Sequence, residues 1–299
     1  KNPINLRKTR KADINNNEIV KRVTSRSKEN LYRASLLYLK EEELSLQKAN
    51  LDEENYHVVI SHATYRSPAL AAGRAINILD QISPMTVRKF TVSEVNGGMG
   101  INSISISRDI YNRYKDFDSP EIIDKYVASD AFEFKEDDYD FNPSTQYPAI
   151  FNTMGPELIS QIGGPDGFFF GDLKWNLDSE IVFSRNLTLI SSITYGLVDN
   201  MDDLKLGSDS VLPRVRTDIV KYLRQSRNLS IKRMQLNYFN QFTPSLFYRF
   251  SAGIFESMFS GYGGEILYRP YHRNFGIGFE VWDAYQRDYD QMFDLRNYK

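Results

Sequence analysis

The sequence predicts an α+β periplasmic domain followed by antiparallel transmembrane β-barrel strands in a meander. Three observations carry this expectation. Helical and strand periodicities mix within the first 116 residues, a two-residue period runs through long stretches after residue 147, and short and long connections alternate along that second part.

Residues 1–26 are polar and basic (Arg7, Lys8, Arg10, Lys11, Lys21, Arg22) with an Asn15-Asn16-Asn17 run, and read as a linker. Residues 27–116 suit a small α+β domain. Leu31, Ala34, Leu37 and Tyr38 form an apolar stripe at helical spacing, and Tyr56 to His62 has the β-branched centre of a strand. Ser67-Pro68 is a helix start with Ser as cap, followed by the stripe Ala71, Ala75, Ile78 and Leu79. Thr86–Val95 and Ile101–Arg108 alternate as two strands around the turn Asn96-Gly97-Gly98. Residues 117–146 are charged and turn-rich and read as a second linker.

Residues 147–299 read as an incomplete β-barrel segment, of roughly eight strands at most. From Phe169 to Phe183 the odd positions are mostly apolar, while Asp172, Lys174, Asn176, Asp178 and Glu180 occupy the even ones. That run outlasts the ordinary strand of about 5–6 residues. Leu187, Leu189, Ile193, Tyr195 and Leu197 continue the apolar face; Met234, Leu236 and Tyr238 then oppose Arg233, Gln235 and Asn237. Similar alternation follows over 246–254, 265–269 and 275–281. The connections read as short (184–186), long (198–228), short (241–244), medium (259–263), short (272–274) and longer near 286–291. The long one contains a short capped helix at Thr217–Leu223. A soluble β-sandwich would also alternate; strand length and the charges repeating on one face favour the barrel.

Composition sets the outer bounds. Among 299 residues, 37 Lys and Arg against 39 Asp and Glu give a net charge of −2, and no basic stripe suggests nucleic acid. Tyr and Phe number 19 each, a load suited to a core or to interfacial girdles. The absence of cysteine removes disulfides and thiol chemistry. A mean hydropathy of −0.47 fits a soluble protein or a barrel equally, and no apolar run of about 18 residues suggests a spanning helix. The start at Lys1-Asn2-Pro3, without initiator Met or signal peptide, reads as a processed or trimmed piece.

No catalytic, cofactor or metal residues are expected. His57 and His62 are placed on opposite faces of a strand and His272 is remote. The groups Gly163-Gly164-Pro165-Asp166-Gly167 and Gly261-Tyr262-Gly263-Gly264 read as turns, not phosphate loops, and no nucleophile elbow occurs. On the polar face, Asp172, Lys174, Arg233, Arg249, Glu265, Arg269, Tyr271, Glu280 and Trp282 are the candidates for lining a lumen and touching what passes through it.

The stretch Leu212-Pro213-Arg214-Val215-Arg216-Thr217-Asp218-Ile219 with Tyr222, then Tyr238 to Pro244, resembles the YjbH/GfcD family. So do Gly261 to Pro270 with Gln286-Arg287-Asp288-Tyr289, and, in the first domain, Tyr65-Arg66 and Ala71-Ala72-Gly73-Arg74. The resemblance is strongest over 210–298. It implies a non-enzymatic outer-membrane component of exopolysaccharide or capsule export, with its N-terminal domain in the periplasm. The implied partners are polysaccharide, periplasmic proteins and lipoproteins of the same system, and outer-membrane lipid. Two rivals stay open: a glycan-modifying outer-membrane enzyme, and a soluble β-sandwich carbohydrate-binding module.

Overall fold

The computed structural model describes residues 14, 17–115, 127–136, 138–144, 147–162, 167–204, 216, 218–225 and 228–296. They fall into two units: Lys1–Thr145 with Gln241–Leu246 and Arg269–Gly276, and Gln146–Asn240 with Phe247–Tyr268 and Ile277–Lys299. Among the described residues no helix is long and apolar enough to cross a membrane.

The first unit carries helices α1 (Asn17–Thr24), α2 (Lys28–Glu41), α3 (Pro68–Ile82) and α4 (Arg108–Tyr114). Its strands are β1 (Ser45–Asp52), β2 (Asn55–Ser61), β3 (Lys89–Asn96), β4 (Met99–Ser107) and β5 (Ala128–Asp130), in sheet order β1-β2-β3-β4-β5. Ser27 starts α2 by accepting from the Asn30 amide at 3.1 Å. Pro68 opens α3 as expected, but the Ser67 hydroxyl makes no cap bond; its carbonyl accepts from Leu70 and Ala71 instead. The β2–α3–β3 segment is a crossover joining parallel strands. Gly97 and Gly98 both adopt positive φ (56° and 74°), which suits a two-residue hairpin turn and is costly for other residues. Tyr56, Val58 and Ile60 of β2 alternate into one core with Ala75, Ile78 and Leu79 of α3 and Leu31 and Leu39 of α2. Leu37 lies outside it: the buried face of α2 is Leu31, Tyr32, Ser35 and Leu39.

Two segments expected to be linkers hold structure. Within 1–26, α1 packs on the domain: Ile14 is buried in its core and the Thr24 hydroxyl donates to the Ile82 carbonyl at 2.6 Å. Within 117–146, β5 pairs with β4 at one edge of the sheet, while Phe141 exchanges backbone hydrogen bonds with Ala49 of β1 at the other (3.0 and 2.9 Å). The strap 131–140 links these two points. Lys48 donates to the Glu136 carbonyl at 2.9 Å, and Phe132 and Tyr139 stand against the ring of His57. Sequence alone hid this because the segment is charged and shows neither period.

The strap has a measurable consequence. Burial lowers His57 from 6.5 to about 4. Ser93 donates to Ser103 (2.9 Å), so His57 Nε2 is the protonated nitrogen that donates to Ser93 (2.8 Å). A folded value below the unfolded one contributes stability above pH 6.5 that is lost as pH falls toward 4, about 2 kcal/mol by pH 5. Chemical unfolding of the full chain at pH 7 and pH 5 should therefore show a drop that His57→Gln, which keeps a donor, reduces by that amount. An equal drop in both proteins would refute it.

The second unit holds β6 (Ala149–Ile162), β7 (Phe169–Val182), β8 (Leu187–Asp199), β9 (Leu229–Thr243), β10 (Leu246–Ile254), β11 (Phe259–Tyr268) and β12 (Ile277–Gln286). They form one seven-stranded sheet in chain order, with β6 and β12 as its edges. The meander agrees with the sequence, but the sheet is open: β12 is not hydrogen-bonded to β6, so the expected barrel is not closed here. The loop lengths also differ from expectation. Residues 259–263 lie inside β11, the turn before it is 255–258, and the connection read as 272–274 spans 269–276. Short and long connections therefore do not segregate cleanly to opposite ends.

Candidate functional site

The sheet of the second unit is inverted relative to a soluble domain. Met154, Leu158, Trp175, Leu197, Leu236, Phe250, Ile266, Phe279 and Val281 are exposed. Asp172, Lys174, Ser192, Thr194, Ser230, Gln235, Asn237 and Ser251 are buried. Alternation places each set on its own face, and the polar face carries a hydrogen-bonded network across the strands. The Ser192 hydroxyl (β8) donates to Asn176 (β7) at 3.0 Å, and Thr194 (β8) pairs with Ser230 (β9) at 2.8 Å. The amide oxygen of Asn237 (β9) accepts from Gln235 at 2.7 Å and from Ser251 (β10) at 2.8 Å. Arg249 (β10) then pairs with Glu265 (β11) at 2.8 Å.

Described residues of the connection between β8 and β9 pack onto this face. Met201 and Leu204 bury against Phe170 of β7, and Val220 and Leu223 of helix α5 (Ile219–Leu223) pack on that cluster. The segment was expected to start with Thr217-Asp218: Thr217 lies outside the described residues, and Asp218 occupies the cap position without a capping bond. Its carboxylate instead meets Lys221 at 2.8 Å, which holds it below the usual carboxylate range. Burial pushes the Tyr222 phenol up to about 12, and its hydroxyl donates to the Arg287 carbonyl at 2.5 Å. Arg287 is fully buried and donates to the carbonyls of Ile231, Glu256, Ser257, Gln291 and Met292, which ties β9, the turn 255–258 and the segment after β12 together. Sequence reasoning missed it because nothing in the local pattern marks an arginine whose partners are all backbone.

Between α5, the turn 255–258 and the polar face lies a cleft of about 500 Å³. Of the nine residues expected on this face, Lys174 and Arg233 line the cleft, and Asp172 sits 2.9 Å from Lys174. Lys232, not expected there, lines it as well and reaches Glu157 at 2.5 Å. The cause is a break in register: Ser192 opposes Arg233 while Ile193 opposes Ile231, so Lys232 is the extra residue of a bulge and its side chain is re-aimed inward.

Four more of the nine form a second cluster beside the cleft. Glu265 and Glu280 are directly opposite on β11 and β12, Trp282 Nε1 donates to Glu280 at 3.2 Å, and the Arg249 guanidinium stands 5.6 Å from the Trp282 ring. Phe255, which lines the cleft, meets Trp282 edge-on at 5.0 Å and joins the two places. Arg269 and Tyr271 are in neither cluster. Both fall after the end of β11 at Tyr268, in a turn that groups with the first unit, where strand parity no longer applies.

A family described as "Exopolysaccharide biosynthesis protein YbjH" matches residues 1–299. The chain belongs to the YjbH family. An Escherichia coli (strain K12) protein named "Uncharacterized lipoprotein YjbH" is 29% identical over 148 residues, which cover 48% of this chain and 21% of the relative. The chain thus matches about a fifth of that relative's length. No solved structure matches at a significant level.

Within this YjbH chain the Gly261-Tyr262-Gly263-Gly264 group is part of β11 rather than a turn. Gly263 opposes Trp282, and a Cβ there would lie 2.3 Å from the indole ring. The glycine is what lets the ring lie flat against the strand. Gly263→Val is therefore expected to displace Trp282 at about 1–3 kcal/mol. In a Trp175→Phe background, excited where tyrosine does not absorb, the fluorescence of the remaining indole should shift; unchanged emission would show that the ring does not rest on Gly263.

Proposed function

We propose that this chain contributes a wall segment of an outer-membrane β-barrel through which an exopolysaccharide passes, without catalysing a reaction on it. The first unit lies in the periplasm and docks other proteins of the same system. The observation that carries the reading is the inverted sheet: large apolar side chains outward and a hydrogen-bonded polar network on the other face. This is how lipid-facing and lumen-facing positions divide in a transmembrane barrel. On a soluble protein an apolar surface of this extent would demand a partner or cause aggregation. The family's link to exopolysaccharide supports the cargo, and a lipoprotein among the relatives fits a membrane location. A carbohydrate-binding sandwich would need a second sheet over the apolar face, yet those side chains are exposed.

Fractionation of the full-length protein tests this. Recovery in the outer membrane only with detergent, with gel mobility that changes on heating, is the expected result. Recovery from the periplasm without detergent would overturn the barrel.

A further inference from the structure

We propose that the cleft under α5 recognises an acidic sugar unit, with Arg233 taking its carboxylate and Asp178 its hydroxyls. The inference rests on the reading that the polar face meets polysaccharide, and it names the chemical class of the polymer. Three of the cations lining the cleft are spoken for: Lys174 by Asp172 at 2.9 Å, Lys232 by Glu157 at 2.5 Å and Arg216 by Glu256 at 2.7 Å. Arg233 lines the same cleft and donates only to the amide oxygen of Gln235, at 2.7 and 3.1 Å. Among the described residues no carboxylate pairs with it; Gln235 holds its Nε–Nη2 edge, and the Nη1–Nη2 edge is the one open to a planar anion.

Register supplies the second half. Asp178 of β7 opposes Ser192 of β8, and Ser192 opposes Arg233 of β9. The acid and the guanidinium therefore flank one serine, two strand spacings or about 10 Å apart at the backbone, and among the described residues no ion pair joins them. Asp178 accepts from Asn176 at 2.8 Å and has no cation beside it among the described residues. A free anion such as phosphate gains at Arg233 but meets the negative charge of Asp178. A uronic acid unit, with a carboxylate at one end and hydroxyls at the other, uses both. Ile190 and Phe255 line the same cleft and suit the apolar C–H faces of a pyranose ring.

The test is calorimetric titration of the detergent-solubilised full chain with tetragalacturonate and with the same oligomer after reduction of its carboxylates to alcohols. Inorganic phosphate serves as a competitor. The acidic oligomer should bind at least about tenfold more tightly, and added salt should narrow the gap. Arg233→Gln should abolish the preference, bringing the acidic oligomer's affinity down to that of the neutral one, whereas Asp178→Asn should weaken both oligomers. Heat-modifiable mobility of each variant confirms that it folds. Equal binding of the two oligomers, a preference that survives Arg233→Gln, or displacement by phosphate at equal concentration would each overturn the proposal. Neutral binding alone would leave polysaccharide handling standing and remove the acidic class. No binding of either by a protein recovered in the outer membrane would remove the site but not the barrel.

Discussion

Leu236→Lys is expected to reduce assembly of the protein into the outer membrane sharply. Leu236 is the middle residue of β9, the longest strand of the sheet, and its side chain is exposed between the buried Gln235 and Asn237. On a surface facing water, replacing an exposed leucine by lysine changes stability by no more than about 0.5 kcal/mol and usually aids solubility. Facing hydrocarbon near the bilayer centre, the same change costs about 2–4 kcal/mol. The two environments therefore give opposite outcomes for one substitution. Heat-modifiable protein in the outer-membrane fraction is the quantity to measure, with Ser251→Ala on the opposite face as control. A loss of about tenfold or more in Leu236→Lys but not in the control is the expected pattern. Undiminished yield would remove the lipid-facing reading of this face.

Arg108→Met is expected to destabilise the first unit by about 3–5 kcal/mol, the cost of breaking a buried ion pair from one side. Arg108 is 4% exposed and its guanidinium closes the C-terminal end of α3. Nε donates to Asp80 Oδ1 at 2.8 Å; Nη1 donates to the carbonyls of Pro84 (2.7 Å) and Val87 (3.1 Å); Nη2 donates to those of Asp80 (2.8 Å) and Ser83 (3.3 Å). Four carbonyls at or just beyond a helix end, otherwise without helical partners, are thus satisfied by a cation placed where the helix dipole favours one. Methionine keeps the stem but leaves the Asp80 carboxylate with only the longer contacts to Asn112 (3.3 Å) and Lys115 (3.8 Å), and removes the guanidinium from all four carbonyls. Arg108→Lys should recover part of the loss, since one ammonium cannot serve all five acceptors. Protease susceptibility of the full chain against denaturant measures both. Wild-type resistance in Arg108→Met would show that water replaces the guanidinium at little cost.

The long strands were legible because a two-residue period over 13–15 residues has no other simple reading, as in β7 to β9. β6 escaped because Pro156 interrupts it; as an edge strand it has no neighbour on one side, so a residue without an amide hydrogen is tolerated there. The glycines of β11 misled in the opposite sense: they lie within the strand, and the smallness of Gly263 serves Trp282 rather than a turn. Parity placed Lys174, Arg233, Arg249, Glu265, Glu280 and Trp282 on the polar face, but it failed where it was carried past a strand end to Tyr271 and across a bulge at Lys232. The cleft itself was illegible: it depends on α5 folding back through Tyr222 and Arg287, contacts between segments some 65 residues apart.

The strap over the five-stranded sheet bears on how that domain can be approached. A bare outer strand is a template on which a foreign strand can add itself by main-chain hydrogen bonds. Here Phe141 occupies the backbone groups of Ala49 on one border and β5 occupies part of β4 on the other. Strand addition along β1 would first have to evict a segment anchored by Lys48 and by the rings around His57. The pairing at both borders thereby disfavours backbone annealing at those positions. Ile19 and Val23 of α1 and Leu37 of α2 are apolar groups that its helices leave in solvent.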